Sequence, residues 1–147
     1  MPALSQLSQC VRAVDPYTAE IVRRGREFCE EKNNKNVICG DQNGKKQFID
    51  IMEAAQRAHC VEELKLYVAY KGAKEGSRGM WNKLANPLNH EIDELENIAK
   101  IAKEGNARDV SLADIHHEIV KRYMGYLMWQ ACALLETRKR EASLYHV

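Results

Sequence analysis

The sequence predicts an all-α fold, and three observations predict it. Apolar residues recur at three-and-four spacing through almost the whole chain, whereas period-two alternation is nearly absent. Only 8 glycines and 3 prolines punctuate the 147 residues. Hydrophobic residues make up 45% and charged residues 29%. A chain near 150 residues buries roughly 68–70% of its unfolded surface around one core. The expectation is a single-domain helical bundle over residues 1–147, with about five helices and a long apolar C-terminal helix.

Asp15-Pro16 predicts the first helix start, because the carboxylate can accept an orphan N–H while proline loses no bond at the first helical position. Tyr17, Ile21, Val22, Gly25, Phe28 and Cys29 then form one stripe to about Glu31, and Asn33 to Asn36 end it. Val37-Ile38-Cys39 reads as a short apolar element before the turn-rich Gly40 to Gly44. A second helix begins at Lys45 and fades near His59, with Phe48, Ile49, Ile51, Met52 and Ala55 on its apolar face. A third runs from about Val61 to Lys74, carrying Val61, Leu64, Tyr67 and Val68 inward. Gly72, Gly76 and Gly79 read as loosening the chain around Arg78. Asn86-Pro87 predicts a fourth start, and Leu88, Ile92, Leu95, Ile98, Ala99 and Ala102 share one face until Gly105 stops the helix in a left-handed conformation. Ser111 with Asp114 resembles a capping box opening the longest helix, about Leu112 to Arg140. From Tyr123 to Leu135 it is apolar nearly all round, which places it either at the bundle centre or under another chain.

That apolar run includes Gly125 and Gln130 and falls short of the ~20 residues a membrane span needs. The opening residues Met1 to Gln6 lack a basic segment followed by an apolar one, so no secretory signal and a cytoplasmic location are expected. Five cysteines, Cys10, Cys29, Cys39, Cys60 and Cys132, include no C-x-x-C pair and read as reduced, mostly buried thiols.

Twenty-two Lys and Arg against 21 Asp and Glu give a net charge of +1, but the charge is unevenly distributed. Residues 64–90 carry Lys65, Lys71, Lys74, Arg78 and Lys83 against Glu75 alone, whereas residues 91–118 carry eight carboxylates against three cations. Residues 119–147 are again basic, at +3. A near-neutral total therefore hides a polarised chain.

Catalytic and metal patterns are not found. Adjacent His116 and His117 diverge by about 100° on a helix and are not an i, i+4 zinc pair. The glycines follow no phosphate-loop order, Glu53 and Glu91 are not followed by histidine at the third position, and Arg108 precedes His116 by more than the four to six residues usual in helical RNA-cleaving domains. His59-Cys60 are neighbours in sequence, which on a helix separates them. No catalytic residue, metal or cofactor is expected.

Binding is the better-supported class. Lys71, Lys74 and Arg78 fall at i, i+3 and i+7, with Lys65 and Lys83 extending the patch and Tyr67, Tyr70 and Trp81 interleaved. If the helix persists, such a stripe can track a phosphate backbone and offer stacking faces, although the aromatics read first as core residues with solvated lysines around them. Lys45 and Lys46 sit at a helix N-terminus, where the dipole disfavours cations.

The segment Gly44-Lys45-Lys46-Gln47-Phe48-Ile49-Asp50-Ile51, followed by Val61 to Lys74, resembles the core of the small helical subunit of type III CRISPR effector complexes. The resemblance spans about Gly44 to Leu84. In that family a polar loop with basic residues enters a helix, and the next helix ends in Leu-Ala-Tyr with a glycine and a basic residue. Here Val68-Ala69-Tyr70 and Lys74 replace the usual Leu-Ala-Tyr and arginine. The resemblance implies a non-catalytic bundle that stacks in copies and supports guide and target RNA. Lys45, Lys46, Lys74 and Arg78 would then face the nucleic acid, and the spacing of the basic stripe adds Lys71 to them. The acidic Glu91, Asp93, Glu94 and Glu96 would meet the basic surface of a neighbouring subunit; the apolar run of the last helix, apart from the resemblance, offers Tyr126 and Trp129 as partner-interface residues. The competing reading is a helical adaptor or homodimer using the Tyr123 to Leu135 surface, without nucleic acid.

Overall fold

A computed structural model describes residues 2–41, 43–76, 79–106 and 109–144. Helix α1 (Pro2–Val14) leads through a 3-10 turn (Asp15–Tyr17) into α2 (Thr18–Glu30) and α3 (Lys32–Cys39). There follow α4 (Gly44–Arg57), α5 (Val61–Glu75), α6 (Met80–Glu94), α7 (Glu96–Asn106) and α8 (Leu112–Leu144). The all-α bundle is as expected, but the described residues hold eight α-helices rather than about five.

Three of the differences have local causes. Glu31 leaves the helical region at ψ 130° and divides α2 from α3, then caps α3 by accepting from the Asn34 N–H at 2.9 Å. Buried Asn34 turns back and donates from Nδ2 to the Phe28 carbonyl at 3.0 Å, covering the end of α2. The asparagine run thus bridges two helices instead of ending one, and Val37-Ile38-Cys39 is the last turn of α3. Pro87 lies inside α6 and does not start a helix. It lies on the exposed side, so the carbonyl left without a donor faces water while Trp81, Leu84 and Leu88 stay buried opposite. Gly105 lies within α7, and Gly76, at φ 71°, is the only positive-φ residue among those described. It ends α5, as a residue without Cβ permits.

The predicted cap at α8 is present, since Ser111 Oγ accepts from the Asp114 N–H at 3.1 Å. Helix α8 is 33 residues long and central. Its Gln130 Nε2 donates to the Val22 carbonyl at 2.9 Å, and its Arg122 binds Asp15 at 2.8 Å, so α2 runs parallel to it. On another side Leu135 packs at Gly44 and the Lys121 carbonyl accepts from Gln56 Nε2 at 3.1 Å, so α4 runs antiparallel. The expectation of an apolar C-terminal helix needs correction: α8 is buried along one face to Ala131, while residues 136–144 are exposed throughout and largely polar. Among the described residues no helix is long and apolar enough to cross a membrane.

Helices α5 and α6 form the closest pair. A β-carbon at Gly72 would lie 2.7 Å from Ala85 Cβ and 2.9 Å from the Trp81 carbonyl oxygen. Gly72 therefore does not loosen the chain; it lets two helix backbones touch. The Glu75 carboxylate spans the turn between them and accepts from the Trp81 N–H at 2.9 Å. Buried residues from all eight helices join in one apolar cluster, with Trp81, Tyr123 and Phe48 its largest fully buried side chains.

Candidate nucleic-acid interface

Helices α4 and α5 turn back on one another at residues 58–60, so the start of α4 and the end of α5 share one end of the bundle. The packing agrees: Phe48 meets Trp81 edge-on at 5.2 Å, and Trp81 in turn abuts Gly72. Lys45 and Lys46, exposed in the first turn of α4, thereby lie at the same end as Lys71 and Lys74. Helix α8 reaches this end as well, because Lys45 Nζ is 3.7 Å from Glu136 Oε1. Both partners of that pair are more than half exposed, so it contributes little stability and leaves Lys45 available to an anion.

Beyond Glu136, α8 continues as an exposed overhang of about 12 Å. It carries Arg138, Lys139 and Arg140. These three were not among the residues expected from the sequence; their contribution depends on α8 running antiparallel to α4, which no local pattern encodes. Seven cations thus gather near one end, against Asp41, Glu75, Glu136 and Glu141.

The predicted stripe divides. Lys71 is half-buried on α5 and Lys74 is exposed, its ammonium 5.9 Å from the Tyr70 ring centroid. Arg78 lies outside the described residues, and α5 ends at Glu75, so the helix does not carry the i+7 position. Lys65 is bound to Asp93 at 2.7 Å and Lys83 is exposed on α6. Of the three interleaved aromatics, Trp81 is fully buried and Tyr67 half-buried, the latter with its hydroxyl pKa raised by burial. Tyr70, 56% exposed, is the one free to stack on a base.

The acidic stretch is tied to its own chain. Arg24 Nε donates to Glu91 at 2.7 Å, and that pair is largely covered. Burial is the largest influence on Arg24 and opposes its charge, but the Glu91 hydrogen bond and the negative charges of Glu91 and Glu94 together outweigh it and hold the guanidinium pKa above its ordinary value. Asp93 binds Lys65, Glu94 lies 3.7 Å from His90 and accepts from Asn97, and Glu96 lies 3.5 Å from Lys100 and 3.9 Å from His116. Each of the four carboxylates therefore has a partner within the chain. On α8, Tyr126 is half-buried with its ring 6.1 Å from that of Trp129, which is 66% exposed.

Hollows elsewhere include two that gather polar side chains. A groove of about 760 Å³ between α2, α3 and α6 includes the Arg24–Glu91 pair, Asn34, Lys83 and His90. A smaller one of about 250 Å³ brings His59, Cys60, His116 and His117 together. Their side chains do not converge: His59 faces Glu63 at 3.1 Å, and His116 Nε2 is 2.7 Å from the Ile92 carbonyl. Burial lowers the His117 pKa. Among the described residues no three His, Cys, Asp or Glu side chains are grouped to hold a metal. Burial also pushes the Cys29 thiol up to about 12, far from the thiolate a nucleophile requires.

No protein-family model matches the chain, and neither a curated protein nor a solved structure matches it.

Proposed function

We propose that this chain is a non-catalytic small subunit of a type III CRISPR ribonucleoprotein in the cytoplasm. It supports guide and target RNA by sequence-independent backbone contacts and packs against other effector subunits and copies of itself. The observation that carries this reading is the gathering of Lys45, Lys46, Lys71 and Lys74 at one end of the bundle, beside the Arg138 to Arg140 overhang. Mostly unpaired cations on helices, exposed at Lys45, Lys46 and Lys74 and half-buried at Lys71, suit a phosphate chain, where affinity arises from counterion release. Tyr70 adds one stacking face.

A second reading, a helical adaptor or homodimer without nucleic acid, is favoured by one feature, the exposed Trp129 beside Tyr126 on α8.

Lys45→Gln combined with Lys46→Glu tests the first reading. Both residues stand at the N-terminus of α4, where loss of positive charge favours the helix, so circular dichroism should show undiminished helix content. Affinity for an unstructured single-stranded RNA, read by fluorescence anisotropy, should fall, and the slope of log affinity against log salt should lose about 1.4 units. An unchanged slope with retained affinity excludes these lysines from the interface. Absence of any RNA binding at ~50 mM salt gives the second reading instead.

A further inference from the structure

The outer face of α5 is exposed and carries a pattern of which the RNA reading uses only Tyr70 and Lys74. Leu66 is 71% and Tyr70 56% exposed, among the most exposed large apolar side chains described. Glu62, Glu63, Ala73 and Lys74 are exposed around them. At 100° per residue, all six fall within about 60° of the direction midway between Leu66 and Tyr70. They form one stripe.

The stripe is complementary to itself. Inverting the helix about Val68 exchanges Glu62 with Lys74, Glu63 with Ala73, and Leu66 with Tyr70. The six residues map onto the same six, with opposite charges brought together at both ends and apolar side chains in the middle. That is the requirement of an isologous two-fold contact, in which residue i meets j and j meets i. Glu62 and Lys74 have no ion-pair partner among the described residues, so both are free to serve it. The like-charged pair that the inversion creates, Lys65 with Lys71, lies about 120° from the stripe centre, and Lys65 is already bound to Asp93.

We propose that α5 is the contact of a two-fold symmetric dimer of this chain, with the two α5 helices antiparallel and Glu62 of each copy facing Lys74 of the other. Leu66 packs on Tyr70 across the axis, and Ala73 leaves room for the opposing backbone. A contact through one helix face buries less than the ~1,200 Å² of a standard interface, so the dimer is weak, dissociating at micromolar to millimolar concentration. It places the two basic ends at opposite extremes of the pair, with Lys45, Lys46 and Lys71 still open. Stacking along RNA would repeat a heterologous contact, whereas this one closes at two copies. The dimer takes Tyr70 and Lys74 out of the RNA-facing set, so RNA on the dimer would rest on Lys45, Lys46, Lys71 and the Arg138 to Arg140 overhang.

Sedimentation equilibrium of the full chain, reduced and without RNA, over about 10 µM to 1 mM tests it. The weight-average mass should rise from 16.8 kDa toward twice that value. Glu62→Lys alone and Lys74→Glu alone should each weaken association by about 3- to 30-fold, since two surface ion pairs are lost per dimer. The double variant Glu62→Lys with Lys74→Glu restores the complementarity in reversed sense and should recover wild-type association. Leu66→Glu should abolish it. A chain that stays monomeric throughout overturns the proposal and assigns the stripe to a different partner. A dimer that Leu66→Glu leaves intact, or a double variant as weak as the singles, overturns this geometry.

Discussion

Replacing Trp81 by alanine should lower the stability of the chain by about 3–5 kcal/mol, a large share of the roughly 5–15 kcal/mol typical of a domain. The indole has no exposed surface and stands edge-on to Phe48 at 5.2 Å, where α4, α5 and α6 meet. Its removal leaves a cavity that this junction cannot close, because Gly72 already brings the α5 backbone against the Trp81 carbonyl. Urea unfolding followed by circular dichroism gives the value. Trp81→Phe should cost much less, about 1–2 kcal/mol, because it keeps the ring contact and removes a buried indole N–H without a partner among the described residues. The pair also separates burial from a nucleic-acid role. A stacking residue would lose RNA affinity on truncation with little change in stability, and Trp81 should do the reverse.

Gly72→Ala should destabilise by about 1–3 kcal/mol even though alanine is the better helix former by about 1 kcal/mol. The added methyl would stand 2.7 Å from Ala85 Cβ and 2.9 Å from a carbonyl oxygen, and neither is the end of a flexible side chain. One helix must move. Gly125→Ala is the internal control, since a β-carbon there meets nothing within 4 Å and should stabilise α8 by up to about 1 kcal/mol. Opposite signs in thermal melts of the two variants confirm that close approach, and not propensity, governs Gly72. Equal signs contradict it.

How much of this could be read beforehand varies by element. Helices α4 and α5 stand almost where the spacing of Phe48, Ile51 and Ala55, and of Val61, Leu64 and Val68, puts them, because each buries one continuous stripe. The start of α8 was legible in Ser111 and Asp114. Helix α3 was not, since its asparagines have poor helix propensity and are held by Glu31 and by the Asn34 bond to Phe28. Pro87 misled because the rule placing proline in the first helical turn ignores burial of Leu84 and Trp81 one and two turns earlier, respectively.

The charge asymmetry behind the candidate interface was legible, its spatial meaning only partly. Lys45 and Lys74 lie far apart in sequence, and the α4–α5 hairpin brings them to one end. The acidic segment read as a free face because its partners are remote: Arg24 and Glu91 are 67 positions apart. Nor could the period of α5 and α6 say that Trp81 faces inward while Tyr70 faces water.

The central claim is that the basic end holds an RNA backbone, and salt dependence tests it most directly. Four phosphate contacts to a single strand give a slope of about −2.8, a loss of about 50-fold in affinity between 50 and 200 mM salt, and seven contacts give nearly 10³-fold. Titration of an unstructured RNA with the wild-type chain should return a slope between about −2.8 and −4.9. Binding that is absent at low salt, or indifferent to salt, would contradict the account.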